Sequence, residues 1–394
     1  MGHCSTSGTG VFLTETLTKF NKAVATKLYA FVPFTKSGNS QGTFFNIQIL
    51  RGIAACMVVT YHSTLTWCRL TSGSYSLAWF GGASGVDIFF VISGFVMAIS
   101  AIGRGGGVIA ALKFFKRRVI RVMPLYWLTT TLILTVNAVN ILPLSSMWTQ
   151  VSLKQKILSY LLIPYQPSAS PLIQHAWTLS YEMFFYLCLA IVIVTKKNAA
   201  IVLTILLSAL VILGFFRTIH WPMLTVLFSP WLLEFLAGLW LGVAAKKGWG
   251  LNAGISTALG AIGFLVLWCS PTPPTSAPQL VWGICAVCVV GAAAALEMRI
   301  GKLMPAWALL LGDASYSIYL LHPFLLRFLA MGLLKLHVIS VGRLRFEDEL
   351  VTTLFCLICT VAIGIAVHKF IEYPMNRILT GKGKPVQVEA SAKA

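Results

Sequence analysis

Long apolar runs separated by short polar stretches recur from residue 46 to residue 370. A helix needs about 20 mostly apolar residues to cross the hydrocarbon of a bilayer. Runs of that order lie at 46–66, 82–102, 122–142, 176–195, 199–216, 223–244, 252–270, 279–297, 314–336 and 350–370. The pattern predicts an all-α integral membrane protein, a bundle of about ten transmembrane helices. Residues 46–377 then form one membrane domain, preceded by a polar, basic cytoplasmic extension over 1–45 and followed by a disordered cytoplasmic tail over 378–394. Neither an internal repeat nor a soluble enzymatic domain is visible in the pattern.

Composition agrees with the pattern. The 394 residues are 57% hydrophobic and 10% charged, where a soluble domain carries about a quarter charged residues; the mean hydropathy is +0.82. The net charge of +19 would suit a nucleic acid, but the basic residues collect between apolar runs, as the positive-inside rule describes. Nucleic-acid binding is therefore not expected, and with Lys19, Lys22, Lys27, Lys36, the Lys113–Arg121 cluster, Lys196, Lys197, Lys246 and Lys247 inside, both termini are expected to be cytoplasmic. The first forty-odd residues lack the apolar core of a signal peptide. The start MGHCST fits a myristoylation pattern too short to be specific. Cys285/Cys288 and Cys356/Cys359 have C-x-x-C spacing but sit in apolar runs without further ligands, so no metal is expected.

Ionisable residues inside the runs carry the chemistry, because a charge in hydrocarbon is costly and persists mainly where it faces a protein cavity. In QILRGIAACMVVTYHS, Arg51 and His62 are eleven residues apart, which on a helix is about 16 Å of rise and close to a whole number of turns. Both fall on one face. GVDIFFVISGF places Asp87 near the outer end of the second run, either beside the imidazole, where it would fix a tautomer, or as a charge favoured by the helix dipole. WTLSYEMFFYL holds Trp177, Glu182 and Tyr186; Glu182 and Tyr186 share a face, and the aromatics suit either a site or an interfacial belt. GDASYSIYLLHPF puts Ser315, Tyr319 and His322 on one face, and Pro323 removes a backbone bond and crowds the Tyr319 carbonyl. His322 either touches substrate or bridges helices. Glu234 in PWLLEFLAGLWLG is similar. The inner cluster GRGGG…KFFKRRVIR supplies groups that hold phosphate, or else sets topology and meets anionic lipid.

Taken in order, these motifs, with the closing IEYP (Glu372, Pro374), resemble the acyltransferase-3 family, and within it the exopolysaccharide O-acetyltransferase branch, over residues 45 to 377. The resemblance implies about ten spans, a bacterial inner-membrane location, a cytoplasmic acyl-CoA donor, usually acetyl-CoA, no permanently bound cofactor, and acylation of a glycan or lipid-linked sugar hydroxyl. The family's motif histidine falls on His62, its arginine on Arg51, and its basic residues on Arg117, Arg118 and Arg121.

Acyl transfer needs a base for the alcohol and stabilisation of a developing oxyanion. The expected roles are His62 as general base, oriented by Asp87 or Glu182; Arg51, Arg117, Arg118 and Arg121 on the donor's phosphates; and Trp177, Tyr186, Tyr319 and His322 on the acceptor. The rival class is a transporter or flippase for a glycan or lipid-linked sugar, which would line its path with the same charges but has no need of a CoA site.

Overall fold

A computed structural model describes residues 44–71, 78–103, 105–138, 152–164, 172–216, 222–248, 250–270, 278–338 and 346–381. Nearly all of the amino-terminal extension and of the tail, and much of the long outer stretch before His175, lie outside the described residues, as does most of the PTPPTSAP connector. Among the described residues there is no strand. The helices are α1 (Phe45–Thr71), α2 (Gly85–Ala101), α3 (Val108–Ala138), α4 (Leu153–Tyr160), α5 (Trp177–Val194), α6 (Ala199–Phe215), α7 (Pro222–Leu227), α8 (Trp231–Lys246), α9 (Ala253–Trp268), α10 (Pro278–Ala295), α11 (Glu297–Ile300), α12 (Ala306–Asp313), α13 (Ser315–Lys335), α14 (Phe346–Val367) and α15 (Tyr373–Leu379).

Each apolar run of the sequence carries helix, with changed bounds. α3 begins at Val108 rather than at 122, because the KFFKRRVIR stretch is helical as well: Lys and Arg are good helix formers. The run at 223–244 is broken in two where Phe228, Ser229 and Pro230 intervene between α7 and α8. Among the described residues, five helices are long and apolar enough to cross a membrane: Phe80–Ala101, Val108–Val136, Gln174–Val194, Ser315–Lys335 and Glu347–Leu379. Shorter apolar helices cover Ala199–Phe215, Ala253–Trp268 and Leu280–Ala295. The long and the short helices together expose Leu132, Ile205, Phe215, Ile262, Leu265 and Ile358, an apolar surface that water would not tolerate at this extent.

The interior forms three packed groups. One joins α2, α3, α5, α6 and α8 around Tyr126, Phe185, Tyr186 and Phe235; a second joins α1, α2, α9 and α10; a third joins α1, α13 and α14 around Trp67 and Ile318. α1 thus lies between two groups, which is why its polar face is turned into protein. α2 and α8 run in parallel at close quarters: a Cβ on Gly94 would fall on the Phe235 carbonyl, and one on Gly238 on the Val91 carbonyl. The start of α1 is held by Glu297, whose two oxygens accept the backbone N–H of Phe45 (2.7 Å) and of Asn46 (2.8 Å). These are donors that a helix start leaves without intrahelical partners. Between α2 and α3 the chain turns through Gly103, Gly105 and Gly107 at φ of +80°, +91° and +100°, a backbone that side chains rarely adopt. Gly107 N–H donates to the Ile193 carbonyl (2.9 Å), which ties this loop to the end of α5.

Candidate functional site

The polar interior is arranged at two depths along α1. Towards its carboxyl-terminal end, His62 on α1, His322 on α13 and His175 just before α5 form a row, with ring centres 4.8 Å apart for His62–His322 and 5.0 Å for His322–His175. His322 is wholly buried and His175 nearly so. Tyr61 stands edge-on to His62 at 4.8 Å. Tyr319 donates its hydroxyl hydrogen to the His175 carbonyl (2.9 Å), with the Thr178 hydroxyl 2.8 Å away.

Backbone carbonyls fix the tautomer of every ring in the row. His62 Nδ1 is 3.0 Å from the Val58 carbonyl, His322 Nδ1 is 2.6 Å from that of Tyr319, and His175 Nε2 is 3.0 Å from that of Leu320. A carbonyl only accepts, so each facing nitrogen carries the hydrogen and the other ring nitrogen keeps its lone pair. For His62 that nitrogen is Nε2, as a general base requires.

Nearer the start of α1, Arg51 donates to Gln48 Oε1 (3.3 Å), and Gln48 in turn bonds Asp313 at the end of α12. The charges of Arg121, Asp313, Glu182 and Glu372 all act on Arg51. Arg118 is buried: its Nη2 donates to Ser100 Oγ (2.9 Å), and its guanidinium lies 5.6 Å from the ring centres of both Phe114 and Tyr186. Tyr186 donates its hydroxyl hydrogen to Glu182, which also accepts from Ser93 Oγ (3.3 Å). Glu372 sits in a π-helical turn, His368–Glu372, and accepts from Ser317 Oγ (2.6 Å) and His368 Nδ1 (2.8 Å). Such turns recur at functional positions. The arrangement gathers Arg51, Arg118 and Arg121 from two helices into a cationic interior balanced by carboxylates, suited to a polyanion that can displace them.

An acyltransferase domain matches residues 44–369, most of the chain. The chain belongs to the acyltransferase-3 family. Over 322 residues this acyltransferase is 30% identical to the exopolysaccharide production protein ExoZ of Rhizobium meliloti (strain 1021), covering 79% of the chain and 95% of that protein. No solved structure matches it.

The residues singled out in the sequence are distributed unevenly in the acyltransferase. Arg51, Arg118, Arg121, Glu182 and Tyr186 come together towards the start of α1, so that Tyr186 lies with the arginines rather than with the aromatics around Trp177. Arg117 is exposed, its Nε turned to the Lys113 carbonyl (3.1 Å). Tyr319 and His322 join His62 in the histidine row. Asp87 is buried against Glu234, and Asp87 Oδ1 and Glu234 Oε2 are left without a hydrogen-bond partner. Gly85, two residues earlier, packs on Ala54 and Val58, so Asp87 lies nearer the start of α1 than His62 does. The Nδ1 that a carboxylate would grip to orient His62 faces the Val58 carbonyl instead.

Trp177 stacks within 4.6 Å of Trp231, and Phe90 and Tyr181 close the cluster. Both tryptophans are half-buried. Sequence reasoning missed His175, Trp231 and Asp313. The first carried a usable signal, a histidine at the threshold of an apolar run; the other two are ordinary residues for a helix end, and only packing brings them to the site.

Proposed function

We propose that this acyltransferase moves an acyl group, acetyl in the simplest case, from cytoplasmic acyl-CoA to a hydroxyl of an exopolysaccharide or lipid-linked sugar, in a bundle of about ten crossings with both termini inside. The observation that carries the reading is the lone pair left on His62 Nε2 by the Val58 carbonyl, on the same helix as Arg51. His62 removes the hydroxyl proton as the alcohol oxygen attacks the thioester carbon. The proton ends on the sulfur of the departing CoA.

Arg51, Arg118 and Arg121 hold the phosphates of CoA, whose long arm then reaches along α1 over a rise of about 16 Å. Asp87 and Glu182 act through the proton and charge balance of the interior. Trp177, joined by Trp231, offers the aromatic faces on which a sugar ring stacks at the outer mouth. The name of the relative from Rhizobium meliloti supports a polysaccharide acceptor.

The test is base-labile acetate on surface polysaccharide, in cells lacking the chain and complemented with wild type or with His62→Ala at matched membrane levels. Acetate should return with the wild type alone. Equal acetate in all strains, together with saturable sugar movement that needs no acyl-CoA, would replace the enzyme with a transporter.

A further inference from the structure

A second group of aromatic rings adjoins His62. Tyr61 lies 4.8 Å from His62 and 6.3 Å from Phe80, ring centre to ring centre. Trp79, next to Phe80 in the chain, packs on Trp268 at the end of α9 with ring centres 4.3 Å apart, and Phe264 supports Trp268 from the same helix at 5.8 Å. Trp268 is 49% exposed, while Tyr61, Trp79 and Phe80 are half-buried like His62 itself. The group therefore reaches the protein surface. The histidine row carries aromatic side chains at both ends: the cluster of Trp177 and Trp231 begins two residues after His175, and this group begins one residue before His62.

The backbone holds the two tryptophans in place. Residues Phe80–Ser84 form a 3₁₀ turn against both α1 and α9: a Cβ on Gly81 would strike the Leu267 and Trp268 carbonyls, and one on Gly82 the Met57 carbonyl. That Cβ on Gly82 would also stand 2.9 Å from Trp79 and from Tyr61, so the two side chains meet over the turn. Trp79 donates its indole N–H to the Trp268 carbonyl (2.8 Å) and its backbone N–H to Thr64 Oγ1 (3.2 Å). A tryptophan that anchors a protein at the membrane surface keeps one end apolar and turns its N–H to the wet side. Trp79 uses that N–H inside the protein. What is left of Trp79 for a ligand is ring rather than polar edge, continuous with the exposed ring of Trp268. The C–H face of a sugar ring packs on such a surface while its hydroxyls stay in water around the rim.

We infer that Trp79 and Trp268 form a subsite for the acceptor, on which one sugar ring of the glycan stacks while the hydroxyl of a neighbouring ring is presented to His62, so that the acceptor is a chain of sugars rather than a single one. This rests on acyl transfer to a glycan with His62 as base. From His62 the ring contacts run through Tyr61 to Phe80 and on to the tryptophan pair, which puts a sugar on the pair beside the reacting ring and not in its place. Stacking of one ring restrains its neighbour through the glycosidic bond, and a hydroxyl held in this way gives up less freedom when it meets Nε2. The subsite makes and breaks no bond. It contributes affinity for the acceptor, and a lone sugar held at His62 gains nothing from it.

The experiment measures initial rates of acyl transfer by the full-length protein in membrane vesicles, with acetyl-CoA as donor. The acceptor is surface polysaccharide from cells lacking the chain, freed of esters by mild base and used either intact or cut by acid to single sugars. Trp268→Leu, which keeps an apolar side chain but no flat ring, should raise the KM for the intact polysaccharide about tenfold, as loss of an aromatic anchor does, with kcat and the KM for acetyl-CoA within about twofold. Trp268→Tyr should recover most of that affinity. Trp79→Leu should act in the same sense as Trp268→Leu, and takes its place if Trp268→Leu does not accumulate. Transfer to single sugars should be as slow in Trp268→Leu as in the wild type. An unchanged polysaccharide KM, a loss in kcat alone, or equal rises in the KM of both substrates overturns the subsite; so does a wild type that acylates single sugars with the kcat/KM it shows for the polysaccharide. Failure of the underlying reading looks different: the wild type then transfers no acetyl to the polysaccharide, or His62→Gln transfers it as fast.

Discussion

At the scale of single residues, the interior is governed by which atom a neighbour occupies. Asp87 and Glu234 show this plainly. The two carboxyl groups pack against each other away from water, with an oxygen of each left without a hydrogen-bond partner. Asp87→Asn preserves the shape and offers Glu234 an N–H donor, and should keep transfer within about threefold, while Asp87→Ala leaves the Glu234 carboxyl buried alone and should cost about 1–3 kcal/mol of stability. Thermal unfolding and transfer rates of the two variants, side by side, decide the point. A collapse of activity in well-folded Asp87→Asn would return Asp87 to the imidazole. For the arginines, exposure separates neighbours in sequence: Arg118→Ala and Arg121→Ala should each weaken CoA binding by about tenfold or more, since charge-assisted bonds contribute about 1.5–3 kcal/mol, and Arg117→Ala should change it less than threefold. Titration of purified protein with CoA measures all three, and equal losses would mean that the exposed Arg117 turns inward to the ligand.

At the scale of elements, helix contacts set the positions that the chemistry needs. The parallel pair α2 and α8 meets at Gly94 and Gly238, where a Cβ would strike backbone rather than a yielding side chain. Gly238→Val should therefore destabilise the protein by about 1–3 kcal/mol or more, and it should disturb Asp87–Glu234 one turn away. Loss of detergent-stable protein is the expected reading, and an unaltered melting temperature would show that the two helices part without cost. The carboxylate of Glu297 works differently, by accepting two N–H groups at the start of α1. Glu297→Ala should lower stability by about 1–3 kcal/mol without shifting the KM for CoA, as steady-state kinetics on the folded fraction can establish.

For the whole molecule, the apolar runs, the basic stretches between them and the ionisable residues within them follow from the cost of placing polar groups in hydrocarbon. That cost is local to each segment, so it can be read along the chain: helices in the right places, a membrane protein, and the shared helix of Arg51 and His62. The order of the motifs also carried the family. What the sequence alone could not decide is which buried groups meet. Asp87 and Glu182 were equally good partners for His62 by composition, yet α2 packs against α8 and hands Asp87 to Glu234, while Glu182 turns to Tyr186 and the arginines. Trp231 and Asp313 joined the site from segments with no unusual local pattern. The earlier start of α3 also escaped a reading based on hydropathy, since helix propensity and not apolarity holds its basic turn. Spacing along a helix follows from bond geometry and is fixed within one segment, whereas contact between helices depends on how every other segment packs, and only the tertiary structure decided that.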